Sequence, residues 1–204
     1  VGQQVLAELL NDSRYNQVHV LVRRPLAQTH PKLLQHVVSF DNLPALPRID
    51  HAWIALGTTI KQAGSQAAFR RVDFDAVVAS AQAALKAGAT RLGVVSALGA
   101  NPQSGVFYNR VKGEAEQALE QMGWPTLVIA RPSLLLGDRE ALGQIARPGE
   151  KIGAALGRVI GGLLPARLRP ISAYKVANAL VSAVANSAQA GVQIMESNAL
   201  QAKP

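Results

Sequence analysis

Cysteine is absent from this 204-residue chain, which excludes a disulfide framework, a thiolate metal site and a cysteine nucleophile. The same absence suits a reducing compartment, so a cytoplasmic setting is the expectation from sequence. Aromatic residues are scarce, with two Trp, three Tyr and four Phe. Aliphatic side chains must therefore build the core, and the aromatic array that stacks on nucleic-acid bases is lacking. No apolar run approaches the roughly 20 uncharged residues that span a bilayer, and the first residues do not have the charged-then-apolar layout of a secretory signal. Stable membrane insertion is not expected. His19, His30, His36 and His51 show no metal-ligand spacing, so no metal site is expected either.

Acidic residues are also few. Lys and Arg outnumber Asp and Glu by 21 to 13, a formal charge of +8, which suits an anionic ligand of some size. Nucleic acid and a phosphorylated cofactor both meet that description. No recognition helix, finger or RNA-binding signature is present, so a small-molecule ligand is expected and nucleic acid is not. The basic excess is densest over 139–170, where Arg139, Arg147, Lys151, Arg158, Arg167 and Arg169 face only Glu140 and Glu150. The oligomeric state is not readable.

What is present is an alternation of apolar strands with amphipathic helices. Val5, Leu6, Leu9 and Leu10 mark a helix at the front of the chain. A strand follows over 17–24, stopped by Pro25, then a short helix near Pro31–Gln35 and a brief apolar run to Phe40. The stretch 52–56 reads as a buried strand ending at Gly57, and 65–87 as a long helix closed by Gly88. Further strands are expected at 92–95, 126–130 and 192–196, and helices at 106–122 and 172–186. Near-continuous apolar strands belong to a sheet covered on both faces, and strand-helix alternation implies parallel pairing. The expected fold is α/β, a doubly wound, mostly parallel sheet in one domain over 1–204. The amphipathic, Gly-rich segment within 139–170 is expected to form a small lid.

Tyr108 and Lys112 stand four apart on the 106–122 helix, so their Cβ atoms share a face roughly 5–6 Å apart. A phenol with a pKa near 10 is a poor acid at neutral pH, and an adjacent ammonium lowers that value. Ser96 lies at the carboxyl end of the 92–95 strand, where open α/β sheets place their ligand crevice, and its hydroxyl is suited to donate to a substrate carbonyl. Arg23 and Arg24 end the 17–24 strand. An acidic residue there would bind the 2′-hydroxyl of NAD, whereas arginine accommodates the 2′-phosphate of NADP. Glu114, Glu116 and Glu120 read as a solvated helix face.

A strand-end Ser followed by Tyr-x-x-x-Lys resembles the short-chain dehydrogenase/reductase family, a Rossmann-fold family. Further matching segments are Leu56-Gly57-Thr58-Thr59, Arg71-Val72-Asp73, Ser96-Ala97-Leu98-Gly99-Ala100, Arg131-Pro132-Ser133-Leu134-Leu135-Leu136-Gly137 and Arg147-Pro148-Gly149-Glu150. Together they are most similar to the atypical, Tat-interacting-protein-like branch.

The resemblance implies that Ser96, Tyr108 and Lys112 form the catalytic group. Lys112 would hold the nicotinamide ribose, Tyr108 would protonate a carbonyl oxygen as hydride arrives, and Ser96 would hold that oxygen. NADP(H) is the implied cofactor, with Gly2, Arg23, Arg24, Leu56, Gly57, Tyr108, Lys112, Leu135 and Arg147 as its contacts. Gly2 would be the third glycine of the phosphate-binding fingerprint, so roughly 10–20 residues carrying a first strand are expected before Val1. Asp73 departs from the extended branch, which carries asparagine there. The expected function is NADPH-dependent reduction of an unidentified small-molecule carbonyl. The alternative is a regulatory or redox-sensing protein that holds NADPH without turnover.

Overall fold

The computed structural model describes residues 1–136, 165–187 and 190–201. Helix α1 (Gly2–Asn11) buries Val5, Leu6, Leu9 and Leu10, the face that its periodicity predicts. Strand β1 (Val18–Val22) pairs in parallel with β2 (Leu33–Val37). A short helix was the expectation around 31–35, and the structure corrects it. A helix this short is marginal in water, whereas the extended form gains ladder bonds to β1. Gln35 then ties the preceding loop with its side-chain amide, accepting from the Leu26 N–H at 2.8 Å.

Strand β3 (His51–Ile54) leads into α2 (Ile60–Ala63) and α3 (Gln66–Arg70). The long helix expected over 65–87 is interrupted by a π-helical turn, Arg71–Asp75, before continuing as α4 (Ala76–Lys86). Gly88 closes it with φ +96°, a left-handed conformation that favours glycine at a helix end. Then come β4 (Arg91–Val95), α5 (Phe107–Glu120), β5 (Thr126–Arg131) and the two-residue β6 (Leu135–Leu136). A 3₁₀ turn at Ala166–Leu168 precedes β7 (Ile171–Ser172), α6 (Ala173–Asn186), β8 (Gly191–Glu196) and α7 (Ser197–Gln201).

The strands form a four-stranded parallel sheet in the order β3-β4-β5-β8, with β1-β2 and β6-β7 as separate parallel pairs among the described residues. On one face, Val77, Ala81 and Ala84 of α4 and Leu119 of α5 pack on Ile54, Leu92, Val94, Leu127 and Ile129. On the other, Val176, Leu180 and Val184 of α6 cover Val128 and Ala130, and α1 packs beside them on Ala177 and Val181. Thr126 through Ala130 are buried without alternation, as a strand covered on both faces requires. The expected lid falls outside the described residues except for its end from Pro165.

Candidate functional site

The site is assembled where the chain leaves the carboxyl ends of β3 and β4. Beyond β4, Ser96 donates its backbone N–H to the Ala130 carbonyl at 2.8 Å, and Leu98 donates to Pro132 at 2.9 Å. These bonds extend the sheet's pairing into the loop and fix where Ser96 stands. Its hydroxyl is buried with no hydrogen-bond partner among the described residues.

Helix α5 is pressed directly on this loop. A Cβ at Gly113 would lie 2.2 Å from both the Asn101 carbonyl carbon and the Pro102 nitrogen, closer than real Cβ atoms come. Asn101 donates its N–H to the Asn109 carbonyl at 3.0 Å. This contact sets the depth of Tyr108 and Lys112 against the loop that carries Ser96. Gly113 has no local sequence signal, because its neighbour comes from a different element.

Lys112 is buried with its Nζ 2.8 Å from Asp73 Oδ1, a pair in which Asp73 is wholly enclosed. The contact is an ion pair rather than an aligned hydrogen bond, since Oδ1 has no hydrogen-bond donor. Asp73 Oδ2 accepts from the Thr58 backbone N–H at 2.9 Å. Gly57 completes the arrangement: a Cβ there would lie 3.3 Å from Asp73 Oδ1 and 3.7 Å from Lys112 Nζ. The missing side chain leaves room beside the ammonium and the carboxylate. A cavity of about 10 Å³, lined by Ser96, Asp73, Lys112 and Glu116 among others, adjoins the pair. That volume is at the threshold for a single water.

Tyr108 packs its ring on the enclosed Phe69, with centroids 5.4 Å apart. Burial pushes its phenol above the usual range, and the Asp73 carboxylate adds to the shift in the same direction. This corrects the expectation that Lys112 would lower the phenol's pKa, because burial, with the Asp73 carboxylate, outweighs it. The phenol is therefore a protonated donor at neutral pH.

Glu116 is a second correction. It was expected on a solvated face, yet it is buried and takes both Nε and Nη2 of Arg131, the latter at 2.5 Å. Arg131 also reaches Glu196 at 3.1 Å, linking α5, β5 and β8. Glu114, by contrast, pairs with Arg70 near the surface.

The remaining expected contacts are distributed as follows. Gly2 opens α1, and a Cβ on it would lie 3.5 Å from Ala55 Cβ, placing the helix start beside the chain that continues to Leu56 and Gly57. Leu56 is partly buried against the α4 core. Arg23 and Arg24 follow β1 directly, exposed and making no described side-chain bond. Leu135 lies in β6, opposite Ile171 and 41% exposed, apart from the Lys112 cluster. Arg147 lies outside the described residues. The structure thus brings Gly57, Asp73, Ser96 and Lys112 together.

No family model matches the chain. It is 31% identical to protein HTATIP2 of Rattus norvegicus, over 98% of this chain and 83% of that protein. It is 30% identical to the mitochondrial protein FMP52 of Eremothecium gossypii, over 96% and 89% respectively. Among solved structures, MoeE5 in complex with UDP-glucuronic acid and NAD matches with a TM-score of 0.71 at 18% identity, over 95% of this chain and 71% of that one. A short-chain dehydrogenase/reductase family oxidoreductase from Burkholderia thailandensis matches with a TM-score of 0.65 at 16% identity, over 99% and 89%. These likenesses fix the fold as Rossmann. The cytoplasmic expectation is overturned, because several FMP52 relatives are named as mitochondrial; lack of cysteine excludes disulfides but carries no address. With relatives of 30% identity or more aligned over nearly the whole chain, the chain belongs to the family of protein HTATIP2 and the FMP52 proteins.

Proposed function

We propose that this chain binds NADP(H) and reduces a small-molecule carbonyl compound. The observation that carries the proposal is the buried Lys112 ammonium at the strand-end loop, with Gly57 beside it leaving room that a side chain would fill. Solved neighbours on the same fold are complexes with NAD, which supports a nicotinamide dinucleotide here. The residues present fit such a group. Lys112 offers donors to ribose hydroxyls, Gly2 opens a helix whose N-terminal amides suit a pyrophosphate, and the exposed Arg23 and Arg24 offer forks to a 2′-phosphate.

When bound, the nicotinamide supplies a hydride to the carbonyl carbon. Tyr108 gives its proton to the carbonyl oxygen, and an alcohol results. A protonated phenol suits that direction of reaction. Ser96, held by the Ala130 and Pro132 carbonyl contacts, is the second donor for the same oxygen.

The Lys112–Asp73 lock favours a second reading, in which NADPH is held as a regulatory or redox-sensing ligand without turnover. Replacing Tyr108 by Phe separates the two. With a panel of aldehydes and ketones and loss of NADPH absorbance as the readout, the variant is expected to lose roughly 10²–10⁴-fold in kcat while NADPH affinity changes only a few-fold. Consumption that Tyr108→Phe does not reduce contradicts the assigned acid, and no consumption by either protein favours the sensing role.

Cofactor choice has its own test. Replacing Arg23 and Arg24 together by Ala is expected to weaken NADPH binding by roughly ten- to a hundredfold, the loss of charge-assisted bonds to one phosphate. NADH binding should hardly change. Equal loss for both cofactors would remove the assignment to the 2′-phosphate.

A further inference from the structure

We propose that His19 and His36 form a binding site for one divalent transition-metal ion, of the chemistry of Zn²⁺, on the face of the β1–β2 pair turned away from α1. The site stands apart from the cofactor reading and does not rest on it.

No motif spacing links these two histidines, which are 17 residues apart in the chain. The register of the strands does. His19 lies opposite Leu34 and Leu21 opposite His36, so the two imidazoles are diagonal neighbours across the parallel pair. Val18 and Leu33 belong to the cluster packed around α1, and the period of two along a strand turns His19 and His36 to the other face. Leu34 on that face is 40% exposed. Both rings are half-buried, so an ion has a path to them.

The rings meet nitrogen to nitrogen, His19 Nδ1 and His36 Nε2 at 2.8 Å, with centroids 5.1 Å apart and planes inclined by 27°. Zinc–imidazole bonds of about 2.0–2.1 Å at a tetrahedral angle put two ligating nitrogens roughly 3.3 Å apart and their ring centroids roughly 5 Å apart. The rings already have that spacing. Tilting them in place converts the hydrogen bond between them into a two-nitrogen chelate. Both facing nitrogens must then be bare, and the tautomers with protons on His19 Nε2 and His36 Nδ1 provide this. The proton that joined the rings is replaced by one on the far nitrogen of the same ring, so a neutral pair binds without net proton release. Burial lowers the pKa of His19, and His36 adds to the shift, which favours the neutral imidazole that metals take.

Among the described residues no third His, Asp or Glu joins the pair, so water fills the remaining positions. Imidazole suits zinc, copper and nickel, whereas magnesium and calcium take oxygen ligands. An ion held by both strands braces the pair whose β1 end presents Arg23 and Arg24. A hydrogen bond that merely ties two strands would use the same rings but would not respond to zinc.

The test is calorimetric titration of the full chain with Zn²⁺, after removal of metal, without a histidine tag and in a buffer that does not bind the ion. One-to-one binding is expected for the wild-type protein. His19→Phe and His36→Phe, which keep a flat ring, are each expected to weaken it roughly tenfold or more, since even groups that only orient a metal ligand are worth about 10–100-fold in affinity. His30→Gln, in the loop before β2, is the control and should bind as the wild type does. If a phenylalanine variant does not fold, ¹⁵N NMR of the wild-type imidazoles identifies the ligands directly, because Zn²⁺ has a filled d shell and is expected to shift His19 Nδ1 and His36 Nε2. Absence of one-to-one binding overturns the proposal, as do unchanged affinities in the folded phenylalanine variants or zinc-induced shifts confined to other histidines. Equal affinity for Mg²⁺ would also overturn it, since imidazoles would then not be the ligands.

Discussion

Alanine at Gly113 is expected to cost the fold roughly 3 kcal/mol or more, at the upper end of what overpacking a close-packed site does. The new Cβ would stand 2.2 Å from backbone atoms of Asn101 and Pro102, and backbone cannot rotate aside as a flexible side chain does. Helix α5 must move off the loop, which breaks the Asn101–Asn109 bond and displaces Tyr108 and Lys112 from Ser96. For a chain of this size a melting temperature lower by about 6–12 °C corresponds to that loss. Gly105→Ala is the control, since a Cβ there meets nothing within 4 Å. Equal melting temperatures for the two variants would show that α5 does not depend on this contact.

Replacing Lys112 by Met has a comparable effect on stability and a larger one on binding. Met has nearly the length of Lys but no charge, so Asp73 is left enclosed and unpaired. Breaking a buried pair in this way typically costs ~3–5 kcal/mol. Thermal unfolding of both proteins at neutral pH checks this, and equal melting temperatures contradict it. The double variant Asp73→Asn, Lys112→Met is expected to recover much of the lost stability because no unpaired charge is left at this position. With Lys112 as the proposed ribose ligand, NADPH affinity is expected to recover in neither variant.

The parallel sheet was legible because its strands are near-continuous apolar runs, so 52–56, 92–95 and 126–130 read as strands in the sequence. Helix α5 was legible from the four-residue spacing of its polar side chains. The same spacing misled at Glu116, whose partner Arg131 sits on another element fifteen residues away. Periodicity assigns a side chain to a helix face, and the neighbouring element decides whether that face is wet. β2 was missed because a five-residue segment gains its extended form from β1, which no local pattern records. Asp73 was noticed as a departure from asparagine, but its role depends on Lys112 and Thr58, which only the fold brings to it. Gly113 was not visible at all. Glycine is common in helices and loops alike, and what makes this one necessary is a loop crossing it at van der Waals distance.

The central claim is that the buried Lys112 anchors a nicotinamide dinucleotide, and fluorescence titration of the chain with NADPH tests it most directly. Saturable one-to-one binding is expected for the wild-type protein and for Tyr108→Phe, with loss of roughly a hundredfold or more in Lys112→Met, as expected for a charged ligand donor removed from an enclosed site. Absence of saturable binding, or equal affinity in the Lys112 variant, would contradict the account.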